Sequence, residues 1–166
     1  MGFFSRRPKH EPSRVPAEPA DQTADAASAA LDEFDGRPLT APLTDAERER
    51  IEAGLESLAA RGVDVDDLDA IGAAYDLAFA EAHAGGGDSA TVVETFGIAI
   101  GEYLTRHSAR AWAVVTDVFG TDLGVVAARA DTVVVPHNLV SARWMRGETG
   151  WVPAVVRHLV GLHPRA

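Results

Sequence analysis

Apolar positions recur every three or four residues from Ile51 to Leu104, give way to β-branched runs between Trp112 and Val135, and return to helical spacing after Pro136. Thr44-Asp45-Ala46-Glu47 has the form of a capping box, and Ile51, Leu55 and Leu58 follow on one stripe until Gly62 ends the helix. A second helix starts near Asp66, with Asp67 and Asp69 in the first turn, where the helix dipole favours anions. Leu68, Ile71, Tyr75, Ala78, Phe79 and Ala82 keep its period up to the breaker Gly85-Gly86-Gly87. The third helix opens after Asp88-Ser89 and offers Val92, Val93, Phe96, Ile100 and Leu104 to a core. Within it, Gly97 and Gly101 lie four apart and strip side chains from one face. A mid-helix glycine costs roughly 1 kcal/mol against alanine, so close approach of another backbone, from the second helix or the sheet, is the expected compensation.

The β-branched stretch predicts three strands. Trp112 to Val118 is the first, Phe119-Gly120-Thr121-Asp122 the turn, and Leu123 to Ala128 the second. Arg129-Ala130-Asp131 returns the chain into Thr132 to Val135, where Pro136 removes a ladder donor and ends the strand. Loops this short join antiparallel neighbours. Asn138 or Ser141 is placed to cap a fourth helix carrying Leu139, Val140, Trp144 and Met145. A last helix runs from about Trp151 to Leu162, with Pro153 in its first turn. The expected fold is α+β, with helices packed on a three-stranded antiparallel meander in one domain over residues 44–166. Residues 1–43, with Pro8, Pro12, Pro16, Pro19, Pro38 and Pro42 among alanines and acids, have too few large apolar side chains to offset ordering and are expected to be a disordered tail.

Charge alters the picture more by its layout than by its net value of −10. Nine acidic residues and no Lys or Arg fall between Gly62 and Thr105, whereas seven arginines face Asp117, Asp122, Asp131 and Glu148 after it. Two halves that pack and neutralise one another are the simplest account. A nucleic-acid binder would present a basic face, and none is expected here. The absence of cysteine excludes disulfides, thiolate metal sites and thiol nucleophiles. No apolar run is long enough to span a bilayer, and Pro8 to Glu11 stand where a secretory core would begin, so a cytoplasmic location is expected. Phe3, Phe4 and the basic residues among positions 1–10 would give a membrane weak contact at best.

Candidate chemistry gathers in one window. Asp117 and Asp122 bracket the first turn, either as a hard-metal or acid/base pair or, the leading reading, as carboxylates bonded to turn amides. His137, at the strand-to-helix junction, pairs on paper with either aspartate as base and orienter. Arg143 on the following helix serves as an anion holder or as the counter-charge for Asp117 or Asp122. No elbow-type nucleophile accompanies them, and His107 and His158 fit no metal-ligand spacing, so neither metal nor cofactor is expected. Trp112, Trp144 and Trp151 read as core residues, the alternative being a binding platform of two tryptophans, Trp144 among them, and an arginine near a sheet edge. Gly85-Gly86-Gly87 lacks the Lys-Ser/Thr of a phosphate loop.

Phe96-Gly97, Gly101-Glu102, Trp112-x-Val114-Val115-x-Asp117-x-Phe119-Gly120-x-Asp122, Val135-Pro136 and Arg143-Trp144 together resemble a bacterial, mostly actinobacterial, domain-of-unknown-function family. The resemblance implies an α+β domain and carries no activity or site residues with it. The functional expectation is therefore a binding or protein-interaction module with Asp117, Asp122, His137, Arg143 and Trp144 as its binding residues and an unidentified protein as its partner. The alternatives are a small hydrolase or metal-assisted enzyme using Asp117, Asp122 and His137, and a peripheral membrane adaptor acting through residues 1–10.

Overall fold

A computed structural model describes residues 38–127 and 132–162. In chain order these form β1 (Leu39–Ala41), α1 (Asp45–Ala60), α2 (Leu68–Glu81), a π-helical turn (Ala82–Gly86), α3 (Ser89–His107), β2 (Arg110–Asp117), β3 (Gly120–Ala127), β4 (Val133–Val134), α4 (Pro136–Met145) and α5 (Val152–Gly161). Helix starts follow local chemistry. The Thr44 amide donates to the Glu47 carboxylate at 2.7 Å and its hydroxyl bonds the same group, completing the expected box. Asp67 caps α2 through the amides of Asp69 and Ala70, and Asp88 caps α3 through those of Ala90 and Thr91. Helix α4 departs from expectation: it begins at Pro136, directly after Val135, with no side-chain cap, so Asn138 and Ser141 lie inside it. A proline at the first helical position has its φ pre-set and needs no donor partner.

The sheet is antiparallel in the order β1-β2-β3-β4. It has four strands rather than three, because Leu39–Ala41 pairs with Val114–Thr116 at one edge. That strand escaped the pattern because Pro38 and Pro42 confine it to three residues and Leu39 stays 51% exposed, so it carries no buried alternation. It also lies within the stretch assigned to the tail; residues 1–37 of that stretch fall outside the described residues, as does the return turn Arg129-Ala130-Asp131. The first hairpin is tighter than its glycine suggested. Asp117 pairs with Gly120, leaving Val118 and Phe119 as the loop and placing Thr121 and Asp122 inside β3. Gly120 adopts a φ of 127°, a conformation L side chains rarely take.

Helix α3 is the axis of the fold and touches the other four helices and both long strands. Its Phe96, Ala99, Ile100 and Leu104 join Leu58, Ile71, Tyr75, Val125, Val140 and Val156 in one buried cluster. Gly97 and Gly101 do admit close neighbours, but these are side chains and not backbone. The His137 imidazole from α4 lies over Gly97 and the Trp112 indole from β2 over Gly101, each where a Cβ would overlap it. The charge halves meet as expected: Arg106 reaches Asp66 at 2.8 Å and Arg157 reaches Asp69 at 3.0 Å. Among the described residues, no helix is long and apolar enough to cross a membrane.

Candidate functional site

Four charged or titratable side chains from four elements converge beside the Gly97 notch. Arg50 of α1 holds Glu94 of α3 with two hydrogen bonds of 2.6 Å and reaches Asp122 of β3 at 3.2 Å. His137, second residue of α4 and only 5% exposed, lies between the same two carboxylates. Its Nε2 is 3.3 Å from Glu94 and its Nδ1 is 3.6 Å from Asp122. Neither contact has hydrogen-bond geometry, so both ring nitrogens are buried without a formal partner and the interaction is electrostatic.

Burial dominates the imidazole and pushes its pKa below the usual histidine value, while Asp122 and Glu94 pull it up and Arg50 adds to the lowering. The Arg50 hydrogen bonds hold Glu94 below the ordinary carboxylate range, and Glu94 in turn raises Arg50, which stays charged. The two carboxylates approach opposite ring nitrogens, so they cannot share one metal ion with the same imidazole. Among the described residues, no three His, Asp or Glu side chains are grouped to hold a metal.

Asp117 behaves as turn chemistry demands, accepting the Phe119 amide at 2.7 Å. It also lines a depression of about 120 Å³ with Asp122, Val115, Phe119, Thr121 and Asn138. Beside that depression the loop residues Val118 and Phe119 are 65% and 87% exposed. Asp122 therefore belongs to both places: it accepts the Leu123 amide and Arg50 through Oδ1 and approaches His137 through Oδ2.

Arg143 is not the counter-charge of either aspartate. It bonds Glu148 at 2.7 Å and lies over the Trp151 ring at 5.6 Å. Six residues after His137, it stands about 9 Å further along α4 and about 240° around it. Trp144 packs edge-on against Phe79 at 4.9 Å and near His83 of the π-helical turn, so it forms no platform with the hairpin. The residues missed were Arg50 and Glu94. Glu94 precedes Gly97 by three and so shares its helix face, a signal present in the sequence; Arg50 offered none.

The family described as Domain of unknown function (DUF3806) matches residues 67–154, more than half of the chain. The chain belongs to this family. The DUF3806 match runs from the cap of α2 into the first turn of α5, and so includes Glu94, Asp117, Asp122 and His137 but not Arg50 or β1. No curated protein and no solved structure matches the chain.

Proposed function

We propose that this DUF3806 protein is a binding module whose contact surface is the β2–β3 hairpin tip and whose partner presents a basic side chain next to an apolar one. The carrying observation is the exposed Phe119 standing beside a small depression lined by Asp117 and Asp122. Asp117 uses Oδ1 for the turn, and its Oδ2 has no hydrogen-bond partner among the described residues. A guanidinium in the depression meets that oxygen while its apolar neighbour covers the Phe119 ring. The net charge of −10 attracts such a partner at long range.

The test is a two-dimensional amide NMR titration with Nα-acetyl-arginine amide, against the neutral isostere Nα-acetyl-citrulline amide. Shifts confined to residues 117–122 and 138, given by the arginine compound only and lost in Asp117→Asn, are expected. Equal responses to both compounds, or none, overturn the reading.

A hydrolase reading retains one favourable observation, the 3.6 Å approach of Asp122 to the His137 ring. It is the weaker reading because the ring is enclosed and both of its neighbours are carboxylates rather than hydroxyls. The membrane reading rests on residues 1–10, outside the described residues.

A further inference from the structure

Arg110 opens β2 and is only 8% exposed. One terminal nitrogen donates to the Ser108 hydroxyl at 3.1 Å and the other to the Leu162 carbonyl at 3.2 Å, while its Nε is buried without an acceptor. Arg48, Arg50, Arg106, Arg143, Arg146 and Arg157 each stand within 4 Å of a carboxylate; Arg110 and Arg61 have none so near among the described residues, and of these two only Arg110 is buried. A guanidinium removed from water with only neutral acceptors is strongly unfavourable, and an anion placed on it recovers that loss.

A cavity of about 280 Å³ adjoins it, lined by Arg110, His107 and Ser108 on one hand and by Ala109, Ala127 and Val160 among its apolar residues on the other. Ser108 gives its hydroxyl hydrogen to the Leu104 carbonyl and His107 faces Asp66, so Arg110 alone is the side-chain donor for an anionic head, and the small aliphatic walls suit a short apolar body. A seven-step rise along β2, about 24 Å, separates this place from the hairpin tip, so it is independent of the surface proposed above.

We infer that the cavity beside Arg110 binds a small aliphatic monocarboxylate, with the carboxylate on the Arg110 guanidinium and the hydrocarbon against Ala109, Ala127 and Val160. The occupant is a free acid, and a carboxylate of this same chain is the alternative that the experiment tests. Pentanoate is the probe, with pentanamide, pentylammonium and inorganic phosphate as controls at matched ionic strength. Two quantities are read on the full chain: the melting temperature and the side-chain Nε–H resonance of Arg110. Pentanoate is expected to raise the melting temperature saturably and to shift the Arg110 Nε–H signal, with no such effect from pentanamide or pentylammonium. Arg110→Gln abolishes the rise; if that variant does not fold, the Nε–H shift in the natural chain still decides.

Three results overturn the inference. One is a pentanoate effect matched by pentanamide, and another is a larger effect from phosphate. The third is no pentanoate effect until Asp131→Asn is introduced, which makes this chain's own carboxylate the occupant.

Discussion

His137 meets an acceptor on each side of its ring, yet a neutral imidazole has only one N–H to offer. Charging the ring supplies the second donor but places a cation in a buried position next to Arg50, and burial prevails. The sign of the pH effect follows. A folded-state pKa below the ordinary value of 6.5 means the unfolded chain binds the proton more readily, so stability falls as pH drops through 6.5 toward the lower folded value. The Glu94 contribution has the same sign but a lower window, being lost as pH falls through a folded value beneath 4.5. The melting temperature is therefore expected to decline between about pH 7 and pH 5 in the natural chain and to be flatter over that range in His137→Gln. Equal slopes by calorimetry would mean that the ring is charged throughout or does not titrate with folding.

At the level of elements, α3 combines two glycine notches with two inserted rings. Gly101→Ala places a methyl group against the Trp112 indole, whose Nε1 donates to Glu102 at 3.1 Å and resists displacement. A loss of roughly 1–3 kcal/mol is expected from such overpacking. In a double-mutant cycle, Trp112→Ala should remove most of the added cost, and additivity by chemical denaturation would place the methyl elsewhere. The spacing of Gly97 and Gly101 announced a vacancy on α3, but periodicity names no occupant, because Trp112 and His137 arrive from β2 and α4. The box that starts α1, the presence of a hairpin between β2 and β3 and the end of β4 at Pro136 were legible because each depends on neighbours in sequence; the two-residue loop of that hairpin and the uncapped start of α4 were not. The edge strand β1, the Arg50–Glu94 tie and the turn of α4 that carries Arg143 away from the hairpin depend on partners distant in the chain or on helix phase. Asp117 and Asp122 line one depression, and the counter-charge of Asp122 is Arg50 instead of Arg143.

Across the whole molecule two electrostatic effects oppose each other. Net charge of −10 repels itself, while Arg106–Asp66 and Arg157–Asp69 join the acidic and basic halves. Those two pairs are exposed, so each contributes little and fades with salt. Self-repulsion acts over longer distances, so relieving it outweighs the weakening of those pairs. Added sodium chloride is therefore expected to raise the melting temperature from low ionic strength up to about 0.15 M, where the screening length is near 8 Å. Magnesium, manganese and calcium salts at matched ionic strength should do no more than sodium chloride. Asp117 spends one oxygen on its turn and Asp122 is held by Arg50, so the depression between them offers few of the six or more oxygens a hard cation requires. A specific site would stabilise the native state by mass action beyond screening. If a divalent salt exceeds its monovalent control, and Asp117→Asn removes the excess, then the hairpin depression is a cation site and the basic-partner proposal gives way to a metal-assisted one.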